Sequence, residues 1–93
     1  DEVPRFNGID QYITQGSVPG GTKRNWDSYG AKMSPISNEQ KALLCDPQTS
    51  GGLLVVVEKE YEASFIQYTQ SIGLSVEAFG ETTELKDILI QVL

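Results

Sequence analysis

Apolar positions recur along the chain with two periods, and the switches between them lay out its elements. Ile9, Tyr12 and Ile13 fall at i, i+3 and i+4, which predicts a short helix over 9–15 with Gly16 where a C-terminal cap belongs. Ser37-Asn38-Glu39-Gln40 fits a capping box and opens a second helix through about Leu44. Tyr61, Phe65, Tyr68 and Ile72 recur at four, three and four, so 60–72 reads as a helix whose aromatic stripe is core, ended by Gly73. Leu53 to Val57 is continuously apolar and rich in Val, the pattern of a strand buried on both faces. Leu74, Val76 and Ala78 alternate with polar residues, and so do Ile88, Ile90 and Val92, predicting two half-buried strands. From Ser17 to Ile36, Gly, Pro, Ser and Asn predominate, and the stretch reads as mostly loop with a short helical turn after Asn25.

The order is α, loop, α, β, α, β, β. The strand–helix–strand portion makes a crossover unit, right-handed by the general rule. The fold class expected is α+β, helices packed on a small mixed β-sheet, with residues 1–93 forming one domain or subdomain. No internal repeat, low-complexity tract or second domain is evident.

Ninety-three residues suit one small domain. A chain of this size buries only about 60–65% of its unfolded surface, so its own core is modest. Seven basic against thirteen acidic residues give a net charge of −6. That argues against nucleic acid or an anionic membrane as partner, since both require a basic surface. No apolar run approaches the roughly 18–20 residues needed to cross a bilayer. Asp1-Glu2-Val3-Pro4-Arg5 has neither the basic head nor the apolar stretch of a signal peptide, and without an initiator Met the chain is expected to be a piece of something longer. The single Cys45 cannot form an internal disulfide, which points to a reducing, cytoplasmic setting. There is no His, which removes the commonest general base, the Ser–His and Cys–His nucleophile pairs, and most zinc sites.

Two glycine-containing stretches carry the candidate chemistry. Gly16 to Lys23 nearly matches the phosphate-binding pattern GxxxxGK[ST], but Thr22 and Lys23 stand in reversed order and the stretch follows a helix rather than a strand. Its plain reading is a turn, with glycines supplying positive φ. Its sharper reading is an anion site, where Gly20, Gly21 and Thr22 present N–H groups and Lys23 and Arg24 add charge. Thr49-Ser50-Gly51-Gly52 divides the same way, as a turn feeding a buried strand or as a backbone cradle for phosphate. Cys45 ends an apolar helical run and reads as a small core residue rather than a nucleophile. Trp26 and Tyr29 either stack on a ligand or cover the edge of the core. Asp27, Asp46 and Glu81 sit in no metal-defining spacing, and no catalytic or metal-ligating residue is assigned.

"VPGGTKRN" at 18–25 together with "DPQTSGGLLV" at 46–55 resembles the selenophosphate synthetase (selenide, water dikinase) family, of the aminoimidazole ribonucleotide synthetase-like superfamily of ATP-using proteins. The resemblance extends over nearly the whole chain, from Val3-Pro4 to the Phe79-Gly80-Glu81 turn, and departs from it at Phe6-Asn7 and Thr82. It implies the C-terminal part of the C-terminal domain of a longer enzyme, packed beside an N-terminal ATP-binding domain in a homodimer. In that family selenide, ATP and water give selenophosphate, AMP and phosphate, to supply selenocysteine synthesis. The reactive Cys or selenocysteine, the catalytic Lys and the Mg²⁺-binding Asp residues lie upstream, so ATP and Mg²⁺ belong to the parent and no cofactor to the segment. By the same resemblance, Gly20, Gly21, Thr22, Lys23, Arg24 and Asn25, with Thr49, Ser50, Gly51 and Gly52, form the wall of a phosphate-handling cleft. The alternative is a structural module that braces the ATP-binding domain without touching ligand.

Overall fold

A computed structural model describes residues 2–93; Asp1, first residue of the expected 1–93 unit, lies outside them. The described residues divide into two compact units. One comprises Val3–Gly51 together with Glu84–Leu93, the other Gly52–Thr83 with Glu2.

The first unit is built on three helices. Helix α1 (Ile9–Thr14) starts at Gly8, whose φ of 84° only glycine adopts freely, and has Asp10 in its first turn where a negative charge is favoured. It ends as the spacing predicts: Gly16 is left-handed (φ 79°), and Ser17 N–H and Gly16 N–H donate to the carbonyls of Tyr12 and Ile13, both at 2.9 Å. Helix α2 (Gly20–Tyr29) continues into a 3-10 turn, Gly30–Lys32. Helix α3 (Asn38–Leu44) carries the expected capping box, with Gln40 N–H donating to Ser37 Oγ at 3.1 Å and Ser37 N–H to Gln40 Oε1 at 2.8 Å. Helix α3 packs against both α1 and α2.

Helix α2 corrects the loop expected over 17–36. Glycines at its first two positions and a Pro before them suppress local helix propensity, and tertiary contacts override it. Pro47 lies on Gly21, and the Trp26 ring lies on Gly30 so closely that an added Cβ would stand 2.7 Å from its carbons. Gly21, Thr22 and Gly30 are buried as a result. Lys41 Nζ sits 4.5 Å from the centroid of the Trp26 ring, a cation–π contact between α3 and α2.

The last expected strand is realised as a single parallel bridge, Met33 to Ile90. Leu89 and Ile90 N–H donate to Lys32 O, Ser34 N–H donates to Ile90 O at 2.9 Å, and Val92 N–H donates to Ser34 Oγ at 2.9 Å. The partner is thus a segment that the sequence marked as loop.

In the second unit, a 3-10 turn (Lys59–Tyr61) leads into helix α4 (Glu62–Ser71), closed at left-handed Gly73 (φ 82°) with Leu74 N–H donating to Thr69 O at 2.8 Å. Its aromatic stripe is not core: Tyr61, Tyr68 and Ile72 are exposed, Phe65 and Ile66 are half-buried, and Thr69 is the buried position. Leu53, Leu54 and Val56 are exposed at 93%, 75% and 69%, so the run read as a buried strand lies uncovered. Among the described residues no strand ladder forms, and the mixed sheet is absent. The reason is physical. A strand apolar on both faces requires a neighbour on each edge and a layer above and below, and nothing in its own unit supplies them. Among the described residues no helix is long and apolar enough to cross a membrane.

Candidate functional site

The first glycine stretch is the N-terminus of α2. Pro19, at the cap position, offers no side-chain acceptor, and Thr22 N–H donates to its carbonyl at 3.0 Å. Gly20 and Gly21 N–H have no acceptor among the described residues. These unpaired amides, of an exposed Gly20 and a buried Gly21, stand at the positive end of a ten-residue helix, where the dipole favours negative charge.

The charged residues beside them divide. Arg24 folds back, its Nη2 lying 3.6 Å from where a Cβ on Gly21 would stand, and has no carboxylate partner among the described residues. A cation held against a helix N-terminus is opposed by the dipole unless an anion is shared between them. Lys23 turns away and pairs with Asp27 in an exposed i, i+4 ion pair, worth little in water. Thr22 is 5% exposed, and its Oγ1 is buried with no hydrogen-bond partner among the described residues. A buried hydroxyl left so costs about 1–3 kcal/mol.

The base of the second stretch meets the first. Asn25 Nδ2 donates to the carbonyl of Cys45 at 2.9 Å across twenty residues, and Pro47 packs on Gly21. From there the chain turns tightly, Gln48 N–H donating to Asp46 O at 2.9 Å, and Gln48 Oε1 occupies the space that a Cβ on Gly51 would need. The N–H groups of Thr49, Ser50 and Gly51 have no backbone acceptor among the described residues, and all three residues are exposed. Gly52 opens the second unit and has open space around it.

Of the ten expected site residues, the structure therefore brings Gly21 and Asn25 against the segment that carries Thr49, Ser50 and Gly51. Gly21 and Gly51 are explained by close packing, whereas Gly20 has nothing within 4 Å of an added Cβ. Sequence reasoning placed Pro47 and Gln48 within the second motif but not among its site residues, yet they are the two side chains that fill the glycine spaces. The signal lay in their position, directly between the helix end and the glycine pair.

Cys45 is buried, and desolvation pushes its thiol above the ordinary value, with Lys41 acting weakly the other way. A thiol held protonated is a poor nucleophile. A groove beside α2, lined by Ile9, Ile13, Val18, Pro19 and Leu43 with Asp46 and Gln48, encloses about 100 Å³. Ligand pockets span roughly 300–1,000 Å³, so the groove is too small for a nucleotide. Among the described residues no group of three His, Cys, Asp or Glu is placed to hold a metal ion.

No family model matches the chain. It is similar to proteins named selenide, water dikinase: 50% identical over 91 residues to that of Pseudomonas aeruginosa, 48% over 91 residues to that of Pseudomonas putida, and 44% over 93 residues to that of Sulfurimonas denitrificans. These matches cover 98%, 98% and 100% of the chain but only 26%, 26% and 27% of the relatives, so the chain spans about a quarter of the length of the curated proteins it matches.

Proposed function

The chain belongs to the selenide, water dikinase family, matching its C-terminal part, and from that premise we propose that it walls a phosphate-handling cleft in an ATP-dependent enzyme that makes selenophosphate from selenide. Phosphate is held at the unpaired amides of Gly20 and Gly21 and by Arg24, with Thr22, Lys23 and the Thr49-Ser50-Gly51 segment contributing to the wall. The observation that supports this reading is the approach of the first motif to the Cys45–Gly51 segment within the first unit, with the Arg24 guanidinium, which has no carboxylate partner among the described residues, folded toward Gly21. The chemistry resides upstream: the reactive Cys or selenocysteine, the Mg²⁺ ligands and the ATP site belong to the N-terminal domain, in a cytoplasmic homodimer. The isolated chain is then inactive.

The mixed sheet belongs to the same proposal. Segments 53–57, 74–78 and 88–92 keep strand patterning, and exposed aliphatic residues mark the first as a strand awaiting neighbours. In the parent, these neighbours come from the preceding part of the C-terminal domain. Bracing the ATP-binding domain without ligand contact is the second reading, favoured by the packing that accounts for Gly21 and Gly51.

One experiment separates the two. Replacing Lys23 and Arg24 by Ala in the full-length parent should weaken phosphate binding and raise the KM for ATP. Unchanged phosphate affinity and kinetics would leave only the bracing role.

A further inference from the structure

We infer that Asn25 is a positioning residue that sets the Asp46–Gly51 turn against the anion-binding end of α2. The inference rests on the phosphate reading above.

The carbonyl of Cys45 lies at the C-terminal end of α3, where Cys45 N–H still donates to Lys41 O at 3.0 Å while its own carbonyl has no helical partner. Asn25 Nδ2 supplies the missing donor from the second turn of α2, at 2.9 Å and partly buried. Two residues further on, Pro47 is seated on Gly21. The turn is therefore fixed to α2 at two points, one directional hydrogen bond and one contact without directionality. Its amides at Thr49, Ser50 and Gly51 follow within four residues of the Pro47 contact.

Asn25 thus contributes by position. Its amide nitrogen donates to the protein's own carbonyl, so the residue acts by holding the second motif in register with the first. Losing the donor frees the turn to drift on its Pro47 contact and orphans the Cys45 carbonyl at once. A purely structural cap on α3 would show only the second effect.

The test uses the full-length parent, with inorganic phosphate titrated calorimetrically and ATP kinetics measured alongside. Asn25→Asp keeps the shape of the side chain but sets a carboxylate oxygen against the carbonyl; Asn25→Ala removes the donor without repulsion and serves if the first variant does not fold. Either substitution should weaken phosphate binding by about three- to tenfold, the size expected for one hydrogen bond. The KM for ATP should rise in step while kcat stays within about twofold, because the reacting groups lie elsewhere. Wild-type phosphate affinity and KM with a lowered melting temperature would overturn the inference and leave Asn25 as a cap. The Lys23→Ala/Arg24→Ala variant distinguishes the two levels. If it loses phosphate while the Asn25 variants do not, the positioning role alone is wrong; if neither loses phosphate, the anion site is wrong.

Discussion

Gly20 and Gly21 differ in surroundings while sharing sequence context, and substituting each by Ala isolates one interaction. A Cβ on Gly21 would stand 2.7 Å from Pro47 Cγ and 3.0 Å from Pro47 Cβ. Carbon atoms in contact prefer about 3.5–4.0 Å, so the turn must retreat by close to an ångström. Overpacking of this kind costs about 1–3 kcal/mol. A Cβ on Gly20 meets nothing within 4 Å. Both substitutions gain roughly 0.5–1 kcal/mol from replacing a flexible glycine in a helix, and that gain cancels in the comparison. Gly21→Ala should therefore be less stable than Gly20→Ala by the full overpacking cost. With a urea slope of about 1–3 kcal/mol/M, the two midpoints should lie on the order of 1 M apart. Urea titration of the 93-residue chain followed by fluorescence of Trp26, its one tryptophan, measures the difference. Coincident midpoints would refute the claim that Pro47 packing seats the second motif on α2.

Other outcomes follow from the same geometry. Gly30→Ala would place a Cβ 2.7 Å from the Trp26 ring, and the ring must swing off Lys41; a red-shifted emission before any unfolding, with stability lower by about 1–3 kcal/mol, is the expected result. Ser37→Ala should cost about 1 kcal/mol by deleting the capping box that opens α3, read as a lowered urea midpoint. The backbone hydrogen bond of Glu39, and secondly Ser37, hold its carboxyl below the ordinary value. Its folded pKa is thus depressed, so its contribution is present above the ordinary carboxylate pKa and fades as pH falls through the folded one. Glu39→Gln should lower stability slightly at neutral pH, flatten the profile across that acid window, and converge on the wild type below it.

Local rules were legible where a few adjacent residues decide the outcome. Gly16 and Gly73 end their helices in the left-handed conformation that their positions demanded, and the Ser37–Gln40 box forms with both of its hydrogen bonds. What failed to show were features decided at a distance. The sequence of α2 advertises a loop, and the seating of Pro47 on Gly21 and the packing of α2 on α3, which no local pattern encodes, support it as a helix. Leu53 to Val57 and the Tyr61–Ile72 stripe were read as interior because apolar runs ordinarily are, yet burial needs a covering layer that their own unit lacks. The candidate site was half visible. Its glycines and basic pair stood out by composition, whereas the Asn25–Cys45 bond spans twenty residues and joins side chain to main chain, which spacing alone does not reveal.

The bridge between Met33 and Ile90 bears on biosynthesis. Its supporting bonds join residues as many as 58 apart, and all lie in the unit that the chain begins at Val3. While translation is under way, the bonds of Lys32 and Ser34 to 89–92 must wait until those residues have emerged. This closing contact can be made only after the intervening residues of the other unit have been synthesised, a delay during which binding by a chaperone would matter most.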